Sequence, residues 1–292
     1  MTAMKTTVGV CVKNNERTVE GAIDSILNQK YPKELMQIII VDGCSTDRTL
    51  PIIKNMTSEK HMILEIFSDQ GKGLGAARQM VVDNAKGEYI IFVDGDVELQ
   101  EDFVQKQVDF MEKTPKVAAA VGRYMFEEGN LISTVWSLLC HVQGALGTDA
   151  TIFRLEALRQ VGGFDENIRG ASEDKDVILR IRKKGWAFSA NEEARFYHNC
   201  RQSFKEFWKE QVWVGSGNHY LNHKHGSIDG SPLWRRIPAG SFRYGLKLAI
   251  RSYKSTNRKI SFLIPPLMVL GNIAWWFGFI KAHMNGYGHE IS

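Results

Sequence analysis

Residues 89–99, which read YIIFVDGDVEL, are the stretch from which the fold of this chain is inferred. Five apolar or aromatic residues, typical of a strand buried on both faces, are followed by Asp94 and Asp96. Residues i and i+2 of an extended segment point to the same side, so the two carboxylates form an oxygen-rich pair that suits Mg²⁺ or Mn²⁺. Gly95 between them allows a tight turn or the close approach of a ligand. A solvated turn after a strand would show the same pattern, so the neighbouring motifs have to decide between a metal site and a turn.

The first 100 residues alternate between strand-like and helix-like patterns. Apolar runs predict strands at TTVGVCVK, MQIIIVDG, MILEIFS and EYIIFVDGD, and helical spacing separates them in ERTVEGAIDSILNQ, STDRTLPIIKNM and GLGAARQMVVDNA. Repeated strand–helix units predict a Rossmann-like α/β fold, in which helices flank a mostly parallel sheet. Ligands of such sheets bind at the carboxyl ends of the strands. The polar residues expected at those ends, and therefore on one edge, are Lys13, Asp42, Ser68, Asp69, Asp94 and Asp96.

Later patterns continue the alternation, and the second helix of the first half is expected to begin at a cap, Ser45 or Thr46. Further helices are predicted over residues 101–114, 131–143, 155–161, 172–184 and 203–222. Further strands are predicted over residues 117–126, within 147–154, and over 187–199.

The charge is unevenly distributed along this 292-residue chain, whose overall composition is that of a globular protein. Residues 235–292 carry nine basic residues and one acidic residue, a net charge of +8, so the remainder carries −4. A nucleic-acid-binding protein usually has its basic face on the folded reader, so nucleic acid is not expected as a partner. A basic tail instead indicates contact with an anionic surface.

The cysteines and the start of the chain bear on the compartment. Four cysteines are scattered without a C-x-x-C pair, so neither a disulfide framework nor a zinc site of that kind is expected. The sequence enters a strand directly, without the apolar core of a signal peptide, which predicts a cytosolic location for the body of the protein.

The C-terminal region differs in composition from the rest, because it combines basic residues with long apolar runs. A domain boundary is therefore predicted at residues 230/231. Residues 241–255, SFRYGLKLAIRSYKS, combine basic and apolar positions as an interfacial helix on anionic lipid does. Residues 262–280, FLIPPLMVLGNIAWWFGFI, are uncharged and just reach the length of about 20 residues that spans a bilayer. Pro265 and Pro266 favour a bent or re-entrant entry over a plain spanning helix. Membrane association with the catalytic body on the cytoplasmic side is therefore expected; a buried helix pair, closing the domain or making a dimer, is the alternative.

The stretch GKGLGAARQ, residues 71–79, imitates a dinucleotide-binding fingerprint because three glycines stand between a strand and a helix. The spacing is G-x-G-x-G rather than G-x-G-x-x-G, and it follows the third strand rather than the first. An NAD(P)-dependent Rossmann oxidoreductase is therefore kept only as an alternative. Arg78, one turn inside the helix, could face a phosphate or could be a surface ion-pair residue.

Two further groups carry polar side chains with two possible interpretations. Ser172, Glu173 and Asp174 open a helix, where a cap and acidic residues complement the helix dipole, but one acid could also act as a general base. His198 follows the strand-like ARFY and could be a metal ligand or a core histidine.

Taken together, six blocks resemble the family 2 glycosyltransferases with the GT-A fold. In chain order they cover residues 8–32, 38–49, 68–80, 85–99, 147–166 and 172–186, and IIIVDGCSTDRT, AKGEYIIFVDGDVEL and SEDKDVILRIRKKGW are examples. The resemblance implies an inverting enzyme that uses a nucleotide-diphosphate sugar, with uridine favoured as the base.

The resemblance also implies roles for individual residues. Asp94 and Asp96 would hold Mg²⁺ or Mn²⁺ on the diphosphate, with His198 as a further metal ligand, and Asp174 would be the catalytic base with Glu173 beside it. The residues that would contact the nucleotide sugar are Lys13, Asn15, Glu16, Asp42, Asp69, Arg78 and Asp94.

Two departures from the family pattern refine this expectation. Gln79 replaces an asparagine that usually follows the arginine, and the Q-x-x-R-W motif of processive synthases is absent, since QVWVGSG at residues 211–217 lacks the Arg-Trp pair. Transfer of a single sugar is therefore expected, and the loop GALGTDA, residues 144–150, would shape the sugar and acceptor pocket.

The acceptor and the assembly are left open by these residues. A hydroxyl of a lipid-linked saccharide, a polyprenyl phosphate and a diacylglycerol-type lipid are the alternatives that a membrane location favours. A phosphate acceptor would need no base, in which case Asp174 would have another role. A membrane-tethered nucleotide-sugar binder without activity would not need the acidic pair at residues 173 and 174. An oligomer is possible.

Overall fold

The structure, a computed structural model, describes residues 4–58, 63–143, 147–226 and 233–288. Contacts divide the chain into two compact units. The first unit consists of Met1–Met125, Leu146–Arg169 and Asp176–Asn199. The second unit consists of Phe126–Ala145, Gly170–Lys175 and Cys200–Ser292. The domain boundary predicted at residue 230 stays a prediction.

The described residues form the following elements. The strands are β1 (Thr6–Val12), β2 (Met36–Asp42), β3 (Ile63–Ser68), β4 (Tyr89–Asp94), β5 (Val97–Leu99), β6 (Val117–Tyr124), β7 (Thr151–Arg154) and β8 (Ala187–His198). The helices are α1 (Val19–Leu27), α2 (Thr49–Thr57), α3 (Leu74–Asn84), α4 (Phe103–Lys113), α5 (Leu131–Gln143), α6 (Leu155–Arg159), α7 (Glu173–Lys183), α8 (Phe204–His225), α9 (Pro238–Thr256) and α10 (Ile264–Met284). Short 3-10 turns cover Lys33–Leu35, Leu233–Arg236 and Lys259–Leu263.

The first unit is built on one sheet with the strand order β3-β2-β1-β4-β7-β6-β8-β5. The four N-terminal strands pair in parallel, as their alternation with helices predicted. Strand β7 runs antiparallel between β4 and β6, β8 pairs parallel with β6, and the short β5 pairs antiparallel with β8. This topology brings the end of β8 beside the residues that follow β4.

The apolar runs within the strands reflect the helices that cover both faces of the sheet. In β2, Ile38 and Ile40 belong to one apolar core together with residues of α1 and α4. The alternate residues Ile39 and Val41 belong to a second core together with residues of α3 and α7. Successive side chains of a strand point to opposite faces, so a strand covered on both faces needs an unbroken apolar run.

The second unit is helical, and its core is formed by α5, α8, α9 and α10. Helix α8 begins at a capping box, in which Ser203 and Glu206 satisfy each other's backbone N–H groups, and ends at Gly226 in the left-handed conformation. Helices α8 and α10 approach so closely that a Cβ atom at Gly278 would lie 1.9 Å from the carbonyl oxygen of Val212. Glycine therefore permits direct backbone contact between these two helices.

Candidate active site

The turn that carries the two aspartates lies at the carboxyl end of β4. Asp94 is the last residue of β4, and Asp96 stands directly before β5. A Cβ atom at Gly95 would lie 2.9 Å from Cγ of Asn15, and the hydroxyl of Thr18 donates to the carbonyl oxygen of Gly95 over 2.7 Å. The loop after β1 thus packs against the turn, and the missing side chain at position 95 makes room for this loop.

Arg78 of α3 fixes the orientation of Asp94. Its Nη2 donates to Oδ1 of Asp94 over 2.9 Å, and its guanidinium lies 5.9 Å from the ring centre of Phe92. Arg78 is 2% exposed, so the alternative of a surface ion pair is wrong. The Asp94 side chain keeps 32% of its exposure. The buried arginine therefore fixes the orientation of Asp94, and the exposed part of this carboxylate stays available for a ligand.

His198, the last residue of β8, is positioned between two carboxylates. Its Nε2 lies 3.3 Å from Oδ1 of Asp96, and its Nδ1 lies 3.9 Å from Oδ2 of Asp149. Burial by itself would lower the pKa of His198, but Asp96, Asp149 and Asp94 outweigh it and raise the pKa to about 9. The surroundings of this histidine are therefore strongly negative.

Asp149 is a member of this cluster that sequence reasoning did not single out. It lies in the loop GALGTDA, which was predicted to shape the sugar and acceptor pocket; residues 144–146 of that loop lie outside the described residues. Asp149 precedes β7 and His198 ends β8, and β6 lies between these two strands in the sheet, so no spacing in the sequence links residues 149 and 198. The one available signal was an acid in the loop just before a short strand, within a predicted pocket loop.

The loops after β1 and β2 interlock at the same edge of the sheet. The N–H of Asn15 donates to the hydroxyl of Thr49 over 2.7 Å, and the side-chain oxygen of Asn15 accepts the N–H of Lys13 over 2.9 Å. A carboxylate oxygen of Glu16 accepts the N–H of Arg48 over 3.1 Å. The predicted nucleotide contacts Asn15 and Glu16 thus also hold the two loops together, and Lys13 is exposed beside them.

The start of α2 shows how the second of these loops is built. The helix begins at Thr49, so the predicted cap at Ser45 or Thr46 is wrong. Asp47 instead accepts both the N–H and the hydroxyl of Thr49, and buried Asp42 accepts the N–H of Ser45. The aspartates take over the local hydrogen bonding that a serine or threonine cap would supply.

Two glycines of the glycine-rich loop after β3, Gly73 and Gly75, are required by packing, and Gly71 has a positive φ of 76°. Asp69 accepts the N–H groups of Gly71 over 2.7 Å and of Gly73 over 3.0 Å. A Cβ atom at Gly73 would lie 2.5 Å from the carbonyl oxygen of Arg169, and one at Gly75 would lie 2.3 Å from that of Asp165. The close approach of residues 165–169 to the start of α3 therefore explains these glycines without a dinucleotide.

Gln79, the departure from the family pattern, has a structural partner. Its side-chain oxygen accepts the N–H of Phe164 over 2.7 Å, and its amide nitrogen donates to Asp83 over 2.8 Å. The Gln79 side chain therefore joins α3 to the turn at Gly162 and Gly163, which follows α6.

The acidic pair at residues 173 and 174 belongs to the second unit, where α7 begins. Glu173 is buried and Asp174 is partly exposed. The hydroxyl of Ser172 donates to the side-chain oxygen of Asn218 over 3.1 Å, and Nζ of Lys175 donates to the same oxygen over 3.4 Å. Helix α8 thus anchors the segment that carries Asp174, through a residue that sequence reasoning did not identify.

The predicted site residues are therefore distributed over both units. The first unit brings Asp94, Asp96, Arg78 and His198 together, and it carries the other predicted nucleotide contacts, Lys13, Asn15, Glu16, Asp42 and Asp69, on loops at the ends of its strands. Glu173 and Asp174 are held within the second unit.

Family models match most of the chain. The model described as Glycosyl transferase family 2 matches residues 7–143, and the model described as Glycosyl transferase family group 2 matches residues 89–281. The chain belongs to the family 2 glycosyltransferases. The resemblance and the class of enzyme predicted from the sequence are confirmed at the level of the family, and no comparison supports the oxidoreductase alternative.

Individual relatives agree with this family. The poly(ribitol-phosphate) beta-N-acetylglucosaminyltransferase TarS of Staphylococcus aureus is 30% identical over 104 residues, which are 36% of this chain and 17% of that protein. A transferase of Methanococcus voltae is 29% identical over 231 residues, 72% of each chain; it is named dolichyl N-acetyl-alpha-D-glucosaminyl phosphate 3-beta-D-2,3-diacetamido-2,3-dideoxy-beta-D-glucuronosyltransferase. Several curated relatives are matched over only 15% to 49% of their own length.

Solved structures confirm the GT-A fold. The mannosyltransferase PcManGT from Pyrobaculum calidifontis, in complex with GDP-Man and Mn²⁺, has a TM-score of 0.65 at 15% identity, with 93% of this chain and 87% of that chain covered. Residues 1–349 of S. aureus TarS, in complex with UDP-GlcNAc, have a TM-score of 0.54 at 16% identity, with 97% and 92% covered. At these identities the likeness establishes the fold alone.

Proposed function

We propose that this chain moves one sugar from a nucleotide-diphosphate sugar, with UDP favoured, to a hydroxyl of a lipid-linked acceptor, with inversion at the sugar. The observation that carries the proposal is the cluster of Asp94, Asp96, Asp149 and His198 at the carboxyl edge of a sheet in a family 2 chain. This edge is where open α/β sheets bind their ligands.

The residues of this cluster fit a hard divalent cation. Carboxylate oxygens and an imidazole are suitable ligands for Mg²⁺ or Mn²⁺, and the excess of negative charge that raises the pKa of His198 favours a cation at the same place. We expect Asp94 and Asp96 to hold the metal, with His198 beside them. When bound, the metal would stabilise the negative charge that grows on the leaving diphosphate. A GT-A enzyme solved with Mn²⁺, PcManGT, supports this expectation.

Asp174 is proposed as the general base. The acceptor hydroxyl attacks the anomeric carbon from the face opposite the diphosphate, the bond to the diphosphate oxygen breaks, and the configuration at this carbon inverts. Asp174 takes the proton of the attacking hydroxyl, for which a partly exposed carboxylate is suited. Asn218 positions the segment through Ser172 and Lys175.

The donor and the acceptor are proposed from what the relatives are named for or were solved with. One structural neighbour was solved with UDP-GlcNAc and another with GDP-Man, so complexes of this fold with both bases exist. The Methanococcus voltae relative is named for a dolichyl-linked acceptor, which supports a lipid-linked acceptor for this chain.

Exposed apolar stripes on two helices of the second unit support attachment to a membrane. On α9, Phe242, Leu246 and Ile250 are 41% to 51% exposed and are interleaved with exposed Arg243, Lys247 and Arg251. On α10, a second exposed stripe has helical spacing and consists of Leu270, Ile273, Phe277, Ile280 and Met284. Apolar side chains with neighbouring basic residues are what an interfacial helix presents to anionic lipid.

Helix α10 is proposed to lie at the membrane surface rather than to span it. Residues Lys259–Met284 are long and apolar enough to cross a bilayer, a property that the core helices of soluble proteins share. The opposite face of α10 packs closely on α8, with Gly215 against Trp275 and Gly278 against Val212. The first two turns of α8 carry four charged residues, Lys205, Glu206, Lys209 and Glu210. Charged side chains are costly in hydrocarbon, so α10, which packs on α8, is not expected to be surrounded by lipid. The basic tail supports contact with the anionic cytoplasmic leaflet, and we therefore propose a cytoplasmic location for the catalytic body.

The first experiment is a thermal-shift screen of the detergent-solubilised full chain. UDP, GDP, dTDP and NAD(P) are each tested with and without Mn²⁺, since a ligand that binds the folded state raises its midpoint. We expect stabilisation by one nucleoside diphosphate, only with metal, and loss of this effect in Asp96→Asn. A metal-independent shift with NAD(P) would overturn the proposal in favour of the oxidoreductase alternative.

A further inference from the structure

Three histidines of the second unit meet between the ends of two helices. His219 and His223 are separated by one turn of α8, and His283 belongs to the last turn of α10. One ring nitrogen from each lies within 4.8 Å of the others. Within the described parts of the chain, this is the one group of three such ligands that is so compact.

The tautomer of His219 is set by its surroundings. The ring is 1% exposed, and its Nδ1 is hydrogen-bonded to the carbonyl oxygen of Tyr287. A carbonyl oxygen only accepts, so Nδ1 carries the proton and Nε2 presents its lone pair to the cluster. Gly288 adjoins the same ring, because a Cβ atom there would lie 3.2 Å from Nδ1 of His219. An imidazole oriented by a backbone carbonyl is the arrangement that metal-binding histidines have.

The distances in the cluster suit two ligands of one metal ion. Nε2 of His219 lies 3.2 Å from Nδ1 of His283. Two nitrogens bound to a tetrahedral zinc ion at about 2.0–2.1 Å stand about 3.3 Å apart. His223 lies four residues after His219 on the same helix face, with 4.7 Å between the ring centres. A hydrogen bond between His219 and His283 would have a similar length, so binding has to be measured.

We propose that His219, His223 and His283 form a binding site for a transition-metal dication, of which Zn²⁺ is the expected member. Imidazole ligands suit Zn²⁺, whereas Mg²⁺ and Mn²⁺ prefer the oxygen-rich set at Asp94 and Asp96. His223 and His283 are exposed, so the ion can enter from solvent, and water supplies the fourth ligand.

Such an ion would join the C-terminal ends of α8 and α10. His219 directly follows Asn218, which holds the segment of Asp174 through Ser172 and Lys175. Metal binding is therefore expected to stabilise the second unit and the helix that anchors the base. The proposal does not depend on the sugar, the acceptor or the identity of the base.

The test uses the untagged full chain in detergent with Zn²⁺ or Co²⁺ and an excess of Mg²⁺, which occupies the oxygen-rich set. Zinc retained after gel filtration is quantified, and Co²⁺ absorption in the visible range reports tetrahedral nitrogen ligation. We expect one zinc per chain, tetrahedral cobalt bands and a raised melting midpoint with Zn²⁺.

The variants decide whether the cluster is responsible. The double variant H223A/H283A removes two exposed ligands, and His283→Gln removes one ligand if the double variant does not fold. His225→Ala, near the end of α8 and outside the cluster, is the matched control. Loss of zinc in the ligand variants with retention in the control supports the site. A wild-type chain without zinc, or equal zinc in all variants, overturns the proposal and leaves a hydrogen-bonded histidine pair.

Discussion

At the scale of residues, the acidic side chains of the first unit differ in how much of their hydrogen bonding is already used. Asp69 accepts two backbone N–H groups, and Asp42 accepts one while it is buried. Asp94 is oriented by Arg78 and keeps an exposed side, and Asp96 faces His198. Acids that organise loops and acids that stay available for a ligand look alike in the sequence, and only their partners in the structure distinguish them.

Asp174→Asn should preserve binding of the nucleotide sugar and abolish transfer. Asparagine has nearly the same size but cannot accept the proton of the acceptor hydroxyl. A general base typically contributes about 10²–10⁴-fold to the rate, so the rate of transfer should fall by at least this factor. Donor binding by thermal shift and transfer of radiolabelled sugar to a lipid extract are the two measurements. Unchanged transfer would remove Asp174 as the base and would favour an ionised phosphate acceptor.

Asp69→Asn should destabilise the fold by about 1–3 kcal/mol, because the charged acceptor of two backbone N–H groups is lost. The free energy of unfolding in urea is the measurement, and Asp24→Asn on the exposed side of α1 is the control, for which little change is expected. If stability stays unchanged while nucleotide binding falls, Asp69 contacts the nucleotide and does not primarily hold the glycine loop.

At the scale of elements, direct backbone contact between α8 and α10 determines what the second unit tolerates. Glycines occupy this contact on both helices, Gly215 against Trp275 and Gly278 against Val212. The other face of α10 is exposed and apolar. On one face of α10 there is no room for a larger side chain, whereas on the exposed face the size of a side chain should have little effect on stability.

Gly278→Ala should destabilise the second unit despite the better helix propensity of alanine. Propensity favours alanine by about 1 kcal/mol, whereas overpacking of a close contact costs about 1–3 kcal/mol or more. The added Cβ would lie 1.9 Å from a carbonyl oxygen, so the second effect should prevail. Thermal unfolding followed by circular dichroism measures the change.

Ile273→Ala on the exposed face of α10 is the control for this substitution, since this side chain is 46% exposed and should cost little. Equal stability of Gly278→Ala and the wild type would show that the two helices can separate at this point without loss.

At the scale of the whole molecule, charge and apolar surface are concentrated in the same C-terminal region. Residues 235–292 carry a net charge of +8 in a chain whose total is +4. The exposed stripes of α9 and α10 lie within this region. Electrostatic attraction brings such a surface to anionic lipid, and apolar side chains hold it there.

The triple variant F242S/L246S/I250S should weaken binding to vesicles of anionic phospholipid by about a hundredfold, because each half-exposed side chain contributes on the order of 1 kcal/mol on burial. Co-sedimentation of the detergent-free protein with vesicles, at low and high salt, is the measurement. Leu131→Ser, which removes an exposed leucine of α5, is the control. Retained binding of the triple variant would place the membrane contact elsewhere or make α10 a spanning helix.

The sequence by itself predicted seven of the eight described strands, most of the helices and the edge of the sheet at which the candidate site lies. The apolar runs at residues 8–12, 38–41 and 89–93 indicate a sheet covered on both faces, and the alternation with helices indicates parallel pairing. The D-x-D pair and the five further blocks were sufficient for the family, because they depend on residue types at short spacings. The remaining parts of the site depend on contacts between residues that are far apart in the chain.

Only the tertiary structure decided which polar residues meet. The sheet order brings β8 beside β5, which places His198 next to Asp96, and the loop before β7 adds Asp149. Residues 165–169 approach the glycine loop and so explain a motif that had suggested a dinucleotide. Hydrogen bonds and close packing act over a few ångströms in space and are indifferent to separation along the chain, so no local pattern could reveal these contacts.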